Sequence, residues 1–498
     1  MLSKKELKEV VKIGIDLTTE KDKNRLLEKM LVQAMKISNC DAGTMYLYQN
    51  NTLVFKNMKT LSQKVDKGGN GEEIDLPPVA LAEGNVCAYS AIHRELINIP
   101  DVYHSDRFDF SGPKRYDAIT GYRTGSMLVI PLEDAEGVLM GVLQLMNKLD
   151  DTGVFIPFGE DDEFAIRSLG SMMAVSLSSM IYIEEIKKQL HSFVSAFATA
   201  VDERTPYNGS HTKKVTVYAG ILADYMNEKY AAGECEEYFD ENRKEQLTLA
   251  AALHDIGKMI IPLEVMNKES RLASGMQKVL DRFKLLQAYY ERDMYKGLIS
   301  QEENEEKQQY ITDAVEFILS IDRAGFLPDE KLERVREIAA QKYVGEDGEE
   351  ISYLTEEETT NLCIRKGTLS EEERRIMESH VVMTKKILDK VHFNVRYENV
   401  ARFAASHHEL LNGSGYPDHL SGDQLELETR MLAVVDVYDA LTSKDRPYKV
   451  PIPKPKAFAI LHSMVEEGKM EERLVTWLEE ALQDIDDAEI ERRVQEET

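Results

Sequence analysis

Hydrophobic positions follow two different periods along the chain and divide it into two regions. Up to about residue 35 they recur at helical spacing, as at Leu27 and Leu31. Residues 41–150 contain short apolar runs typical of strands, such as 43–48 and 141–146, separated by turn-forming residues. Beyond about residue 185 nearly all of the sequence has helical spacing. The pattern predicts a multidomain chain in which an α+β domain precedes an all-α domain.

A heptad pattern connects the two regions. Its seam positions alternate steps of three and four residues, which predicts one long helix over about residues 166–200. The seam positions are Ile166, Leu169, Met173, Ser176, Met180, Ile183, Lys187, Leu190, Val194 and Phe197. Either this helix packs on its own two domains, or it pairs in parallel with a second copy and makes the protein a homodimer. The predicted boundaries are 1–165 for the first domain, 166–200 for the helical linker, 201–475 for the second domain and 476–498 for a charged tail.

The chain is strongly acidic. Its 498 residues include 89 Asp and Glu against 61 Lys and Arg, which gives a formal net charge of −28. Such a charge repels phosphate backbones and anionic lipids, so we expect no binding to nucleic acid or to a membrane. The first residues lack the apolar core of a signal peptide, and no uncharged apolar stretch reaches the ~18 residues that span a bilayer. These features predict a cytoplasmic protein.

The four cysteines lie far apart. Cys40, Cys87, Cys235 and Cys363 form no C-x-x-C pair. This arrangement favours free thiols in a reducing compartment over a disulfide framework or a thiolate zinc site. We expect all four thiols to be buried and unreactive.

Candidate metal ligands are concentrated in the helical half. His254 and Asp255 are adjacent, and so are His407 and His408. Imidazole and carboxylate groups hold iron, manganese or zinc, and adjacent ligand pairs favour a site with more than one ion. Further candidates, in or beside apolar helical segments, are His211, His380 and Asp436. Each has a structural alternative when taken singly, because a histidine on an apolar helix face is more often a hydrogen-bonded core residue than a ligand.

Five motifs occur in an order that resembles the HD-GYP family of metal-dependent cyclic-dinucleotide phosphodiesterases. They are ERTPYNGSH, HDIGK, GTLSEEERRIMESH, HHELLNGSGYP and DVYDALTSKDRPYK, spread over about residues 190–470. The resemblance implies that the metal ligands are His211, His254, Asp255, His380, His407, His408 and Asp436. It further implies two divalent ions, with Asp255 as the catalytic bridge between them.

The substrate contacts are implied by the same resemblance. Lys258 and Arg446 correspond to residues that contact substrate phosphate, which suits in-line attack of an activated water on a phosphodiester. The loop of Gly415, Tyr416 and Pro417 borders the site in the family and contacts substrate or a signalling partner protein. Tyr416 could stack on a guanine, whereas the glycines could serve the turn alone.

The sequence departs from the family pattern in three places. Members with a third ion carry a glutamate four residues before the first histidine, where this chain has Tyr207. We therefore expect two ions, with Glu203 as the remaining candidate for a third site. Helical pieces form an insertion at about residues 274–365, which could be a lid, a docking surface or a solvated elaboration. One extra residue separates Asp439 from Arg446, which changes how that arginine reaches the site.

The first region resembles a GAF domain. The stretch TGYRTGSMLVIPLEDAEGVLMGVLQLMNKLDD matches the central strands of that family. Asn147, Lys148, Phe158, Asp162 and Glu163 fit a motif of cyclic-nucleotide-binding GAF domains, and Lys148 and Asp162 are expected to form an ion pair between strand and helix. The implied ligand could be a cyclic nucleotide, another small molecule or none.

Together the resemblances imply a dimeric bacterial signalling enzyme. The expected activity is hydrolysis of cyclic di-GMP to pGpG, and further hydrolysis to GMP stays open. Iron or manganese is the expected metal, because thiolates are absent from the ligand set. The GAF domain is expected to regulate this activity through the long helix. Two alternatives stay open: a related substrate such as cyclic GMP-AMP, or a non-catalytic receptor or scaffold.

Overall fold

The computed structural model describes residues 12–17, 19–20, 22–69, 71–204, 210–345, 348–443 and 451–496. The chain divides into two units, Met1–Gln189 and Leu190–Thr498. This division falls inside one long helix rather than at either end of the linker predicted at 166–200.

The first unit is built on one antiparallel sheet. Its strands are β1 (Cys40–Gln49), β2 (Thr52–Thr60), β3 (Val65–Gly68), β4 (Val79–Ala80), β5 (Ile97–Ile99), β6 (Met127–Glu133), β7 (Leu139–Leu149) and β8 (Phe155–Ile156). The strand order is β3-β2-β1-β7-β6-β5, with β4 paired to β2 and β8 paired to β7. The helices are α1 (Lys23–Ser38), α2 (Val86–His93), α3 (Ser111–Thr120) and α4 (Glu160–Asp202), and residues 12–17 are also helical.

Both faces of this sheet are buried. Along β6, Leu128 and Ile130 pack in one core together with residues of α1 and α4. The alternating residues Met127 and Val129 pack in a second core with residues of α2. The period of two explains the short, almost continuous apolar runs of the sequence, because both sides of each central strand face protein. The predicted α+β class of this region is confirmed.

The motif resembling that of GAF domains lies where β7, β5 and the start of α4 meet. Lys148 forms the expected ion pair with Asp162. Glu163 accepts a 2.7 Å hydrogen bond from a side-chain amide of β5. The side-chain oxygen of Asn147 accepts a 2.6 Å hydrogen bond from the backbone of the segment before β6, and Phe158 is buried in the core shared with α1. These contacts fix α4 to the sheet, while a ligand of this unit remains a prediction.

The predicted seam of α4 does not face one surface. Leu169 and Met173 are buried in the core of the first unit, and Val194 is buried in a core of the second unit. Ile183 and Phe197, also predicted seam positions, are 57% and 47% exposed. A single continuous dimer seam is therefore wrong, because several of its positions are already used within the chain.

α4 also bears on the predicted location of the protein. By length and composition it is the one helix among the described residues that could cross a membrane, and half of the relevant window is buried within the protein. A core helix of a globular domain has the same character. The absence of membrane contact and the cytoplasmic location stay predictions.

The second unit is predominantly helical, as predicted. Its main helices are α5 (His211–Ala231), α6 (Glu241–Leu253), α7 (Leu263–Met266), α8 (Met276–Tyr295), α9 (Gln301–Asp322), α10 (Asp329–Ala339), α11 (Glu356–Leu362), α12 (Glu371–Leu388), α13 (Val400–Ala405), α14 (Leu427–Thr442), α15 (Lys454–Glu466), α16 (Glu472–Ala481) and α17 (Asp487–Glu496). The helices α5, α6 and α13–α17 share one core, which also takes up the last residues of α4.

The carboxyl-terminal segment is part of this core, and the predicted charged tail at 476–498 is wrong. Trp477, Leu478 and Leu482 are buried around α16, and Ile490 and Val494 of α17 are buried with them. The apolar residues of this segment recur at helical spacing among many charges. The charged residues occupy the solvent side, which is why composition alone suggested a tail.

Two of the four cysteines differ from expectation. Cys40 and Cys87 are buried, and burial raises the pKa of each thiol to about 12. Cys235 and Cys363 are only half-buried. All four are free thiols, as predicted.

The predicted insertion is a small subdomain with a core of its own. Helices α8–α11 surround this core, joined by a hairpin of β9 (Lys342–Val344) and β10 (Glu350–Ser352) that the sequence did not indicate. Capping boxes begin α11 at Thr355 and α12 at Ser370, as their sequences predict. Its core is separate from the core that α5 and α14 share. The segments around Arg271 and Ile364, where the chain enters and leaves the insertion, form its neck.

Arg271 holds this neck together. The side chain is fully buried, and Nη1 donates to the carbonyl oxygens of Ile321 and Ala324 at 2.7 Å each. Its Nε donates to the carbonyl oxygen of Ile364 at 2.9 Å. One guanidinium thus joins the entry of the insertion, the end of α9 and the exit of the insertion.

We expect Arg271→Met to destabilise the subdomain by about 2–4 kcal/mol, because several buried carbonyl oxygens lose their donors. Urea unfolding followed by circular dichroism, with hydrogen exchange of residues 274–365, measures the change. The matched control is Arg323→Met, since that side chain is 68% exposed, and its expected effect is within about 0.5 kcal/mol. Equal stability of the two variants would contradict the role of Arg271.

Candidate metal centre

Seven buried or half-buried side chains from five helical segments converge in the second unit. His211 is the first residue of α5, His254 and Asp255 follow α6, and His380 lies in the middle of α12. The remaining three are His407 and His408, which follow α13, and Asp436 of α14. Three subsets have ligand atoms within 4.8 Å of one another, namely His380, His407 and His408; His211, His254 and Asp436; and His254, Asp255 and His407. The fold therefore brings together all seven residues predicted to bind metal.

Three of the histidines present the same nitrogen to the centre. The Nδ1 atoms of His254, His380 and His407 lie 2.6, 2.6 and 2.7 Å from the carbonyl oxygen three residues earlier. A carbonyl only accepts, so each Nδ1 carries a proton and each Nε2 has a free lone pair. In the part of the chain that the structure describes, these three buried Nε2 atoms have no hydrogen-bond partner. Unpaired buried lone pairs at one point fit a bound cation.

The carboxylates complete the donor set. Asp255 Oδ2 lies 3.3 Å from His254 Nε2 and 3.5 Å from His211 Nε2, while its Oδ1 lies 3.4 Å from His380 Nε2. Asp436 Oδ1 lies 3.3 Å from His211 Nε2. Two donors that are each about 2.1 Å from one ion lie roughly 3–3.5 Å apart, so these separations suit shared coordination better than direct hydrogen bonds. Asp255 reaches histidines of different subsets with its two oxygens, which is the geometry that a bridging ligand needs.

Burial keeps three of the histidines neutral. It lowers the pKa of His407 well below the usual range, and the adjacent His408 adds to this effect. Burial lowers the pKa of His408 to about 4 and also lowers the pKa of His380, although nearby carboxylates oppose both shifts. Neutral imidazole is the form that binds a metal ion, so these rings are in their ligand form at neutral pH.

The acidic groups and His211 are coupled. Burial raises the pKa of Asp255, but Lys258 and the histidines outweigh it and hold that pKa well below the usual range. Burial also raises the pKa of Asp436, but the contact with His211 is the largest of the effects that hold that pKa well below the usual range. Burial lowers the pKa of His211, yet Asp255, Asp436 and Asp439 together hold it well above its ordinary value. A cation at this point would replace the proton of His211.

The predicted substrate-contact residues are partly described. Lys258 forms an ion pair with Asp255 and keeps 17% of its side chain exposed. The ring of Tyr416 lies 4.9 Å from that of His408, so it lines the centre rather than projecting free. Gly415 is buried and Pro417 is half-buried in the same loop. Arg446 and Tyr207 lie outside the described residues.

Glu203 does not belong to the cluster. Its side chain is exposed, whereas the neighbouring Asp202 is buried and accepts a 2.7 Å hydrogen bond from Thr212. The candidate for a third ion site is therefore not supported by the structure.

Two supporting residues were missed by the sequence analysis. Thr384 donates to the carbonyl oxygen of His254 at 2.9 Å and accepts from the backbone N–H of Gly257 at 3.0 Å. Glu409 is buried and accepts backbone hydrogen bonds from Asp418 at 2.7 Å and Leu420 at 3.0 Å. Their positions in the sequence could have indicated both residues, since Thr384 lies four residues after His380 and Glu409 lies directly after His408.

Two glycines permit close backbone approach at the centre. A Cβ atom on Gly257 would lie 1.9 Å from the carbonyl oxygen of His380, and one on Gly415 would lie 2.4 Å from the backbone nitrogen of Leu410. Gly413 has φ +73°, so it serves the turn. The glycine of the Gly415–Pro417 loop thus has a packing role against the segment that carries His407 and His408.

Comparisons with known proteins place this centre in a family. A family model described as HD domain matches residues 208–366, and a second HD-domain model matches residues 356–474. The second unit therefore contains an HD domain. The two matches of the HD domain together contain all seven residues of the cluster, and its His and Asp groups can hold metal, as this metal-dependent fold requires.

Three relatives share part of the chain. A 3'3'-cGAMP-specific phosphodiesterase 3 of Vibrio cholerae serotype O1 is 41% identical over 95 residues, which are 19% of this chain and 20% of that protein. A cyclic di-GMP phosphodiesterase response regulator of Xanthomonas campestris is 38% identical over 103 residues, and a cyclic di-GMP phosphodiesterase of Thermotoga maritima is 34% identical over 103 residues. Each of the latter matches covers 21% of this chain and 27% of the relative. This chain therefore spans only about a fifth to a quarter of the relatives that it matches.

A solved structure was also found. The GAF domain from Acinetobacter phosphoenolpyruvate-protein phosphotransferase has a TM-score of 0.28 and 18% identity, over 37% of this chain and 99% of that one.

We expect Gly257→Ala to impair the centre, because the added methyl group would collide with the α12 backbone beside His380. The expected result is loss of bound manganese, measured by elemental analysis after loading, and a stability loss of about 2 kcal/mol or more by thermal unfolding. Gly220→Ala in α5 is the control, since the nearest atoms to its Cβ lie 3.9 Å away. The control should retain the metal and gain about 0.5–1 kcal/mol, as helical Gly→Ala changes do. Full metal content in Gly257→Ala would refute the packing argument.

Proposed function

We propose that this chain is a metal-dependent phosphodiesterase that hydrolyses cyclic di-GMP to pGpG and onward to GMP. The observation that carries the proposal is the convergence of three unpaired buried Nε2 atoms on a carboxylate that reaches different subsets of histidines. The relatives support the substrate class, since two of them are named as cyclic di-GMP phosphodiesterases.

The proposed roles follow from the donor set. Two divalent ions, when bound, supply Lewis acidity and an activated water for in-line attack on phosphorus. Asp255 would be the ligand shared by the two ions, and the other six residues of the cluster would complete the ligand set. Iron or manganese suits this set of imidazoles and carboxylates, because it contains no thiolate.

Lys258 is the proposed phosphate contact. Its ammonium lies against Asp255 at the edge of the cluster and is partly exposed, so a phosphodiester entering the centre meets a positive charge. In a chain with a net charge of −28, such local neutralisation is needed for an anionic substrate. Arg446 is proposed for the same role on the strength of its motif alone.

A second substrate has specific support. One relative is named as specific for 3'3'-cGAMP, and no described residue of the cluster distinguishes one purine from another. Tyr416 packs beside His408. Its ring is proposed to contact a substrate base by its edge or by stacking, and neither contact distinguishes one purine from another. The non-catalytic receptor is disfavoured, because all seven ligand positions are filled and assembled.

Regulation by the first unit is proposed to act through α4. At its end, Asp202 accepts the 2.7 Å hydrogen bond from Thr212, the residue after the ligand His211. A shift of the helix would therefore reach a metal ligand through one buried hydrogen bond. A small-molecule ligand of the first unit, and a signalling partner at the Gly415–Pro417 loop, remain predictions.

Homodimer formation is proposed to use the exposed apolar residues of α4. Ile183, Ile186, Phe193 and Phe197 are 47–65% exposed and follow a spacing of three and four residues with Leu190 between them. Pairing of two copies over this stretch would cover them. This face is narrower than the predicted seam, because Leu169, Met173 and Val194 are used within the chain.

We expect the manganese- or iron-loaded wild type to convert cyclic di-GMP to pGpG, resolved by chromatography of the products. His407→Asn should lower the rate by more than about 100-fold, since loss of supporting residues alone commonly costs 10–100-fold. His462→Asn is the matched control, as this histidine pairs with Glu479 outside the cluster. No hydrolysis by loaded wild type would reject the proposed activity, and faster hydrolysis of 3'3'-cGAMP in competition would favour the second substrate.

We expect Phe193→Glu to yield a monomer by light scattering and to change the turnover rate, because charges on the exposed face oppose pairing. Val395→Glu is the control, since Val395 is 83% exposed and lies outside α4. A persistent dimer would contradict the proposed interface. A monomer with the wild-type rate would contradict regulation through paired helices while leaving the interface intact.

A further inference from the structure

His211 differs from the other anchored histidines in what holds its ring. His254, His380 and His407 each use a backbone carbonyl three residues earlier. His211 is the first residue of α5, so it has no preceding turn of that helix to supply such a carbonyl. Its Nδ1 instead lies 2.6 Å from Oδ2 of Asp439, a residue for which the sequence analysis predicted no part in the metal centre.

Among the described residues, the Asp439 carboxylate forms its side-chain hydrogen bond with His211. It is 1% exposed, and within the described residues its second carboxylate oxygen has no hydrogen-bond partner. It lies three residues after Asp436 on α14, so the two carboxylates share one helix face. Asp436 Oδ1 lies 3.3 Å from Nε2 of the same ring. One helix therefore contacts both nitrogens of His211, with a ligand on one side and an anchor on the other.

We propose that Asp439 is a positioning residue that fixes the ring and tautomer of His211 for metal binding. A carboxylate that accepts from Nδ1–H leaves the Nε2 lone pair directed at the centre, and it makes that nitrogen a better donor. The inference rests on the metal centre of the proposed function and adds a residue outside the ligand set. It also gives a reason for a buried carboxylate at this position, where an apolar side chain would pack without a desolvation cost.

The test is a calorimetric titration of the metal-free protein with Mn²⁺, which measures the binding affinity. Asp439→Asn is nearly isosteric, but its amide can also donate to Nδ1 and stabilise the wrong tautomer. We expect affinity for one of the two ions to fall 10–100-fold. Asp293→Asn is the control, because Asp293 is also buried and hydrogen-bonded, at 2.7 Å to the hydroxyl of Tyr343 in the insertion. It should bind Mn²⁺ as the wild type does.

A double-mutant cycle separates positioning from a general structural effect. If Asp439 acts through the ring, Asp439→Asn added to His211→Ala should cause no further loss of Mn²⁺ affinity. An equal loss in both backgrounds, or unchanged affinity in the single variant, would overturn the proposal. Should Asp439→Asn fail to fold by circular dichroism, Asp439→Glu keeps the charge, displaces the oxygen and is expected to weaken Mn²⁺ binding in the same cycle. Failure of the wild type to bind Mn²⁺ would instead reject the metal centre itself.

Discussion

The second unit depends on burying the lone pairs of several histidines at one point without leaving their other nitrogens unpaired. A buried polar atom without a partner destabilises a fold by about 1–3 kcal/mol, so each ring needs an anchor that also sets its direction. For His254, His380 and His407 the anchor is a carbonyl three residues earlier. This local solution works for residues in or directly after a helix. It leaves unpaired lone pairs and carboxylates at the centre, which bound metal ions would satisfy.

The surrounding fold serves to bring these anchored rings within a few ångströms of one another. Gly257 allows the segment after Asp255 to touch the backbone of α12, and Thr384 bonds across the same contact. Glu409 holds the following loop by two backbone N–H groups. These groups do not belong to the predicted ligand set. They restrict how the ligand-bearing segments move relative to one another, as supporting groups do at other metal sites.

The insertion is connected to the same centre through α12. Lys268, in the neck, bonds to Glu373 at 2.7 and 2.9 Å, and Glu373 closes the capping box with Ser370 at the start of that helix. His380 lies seven residues further along the same helix. Arg271 joins the two ends of the insertion by hydrogen bonds. The Lys268–Glu373 contact then attaches the neck to the start of α12. This favours a role tied to the site over that of a freely tethered appendage.

The sequence by itself determined the two structural classes, the long helix, the insertion and the seven residues of the candidate metal centre, because each depends on local periodicity or on a motif. Positions such as His254 and Asp255 are adjacent in sequence, so their pairing needed no knowledge of the fold. The tertiary structure alone decided which face of α4 stays exposed, since Leu169 and Val194 could be covered only once the two cores were formed. It also decided that the last helices enter the core, because their charged side chains mask an apolar stripe. The contact between His211 and Asp439 spans 228 residues, and no local pattern encodes a partner that is brought close only by the packing of α5 against α14.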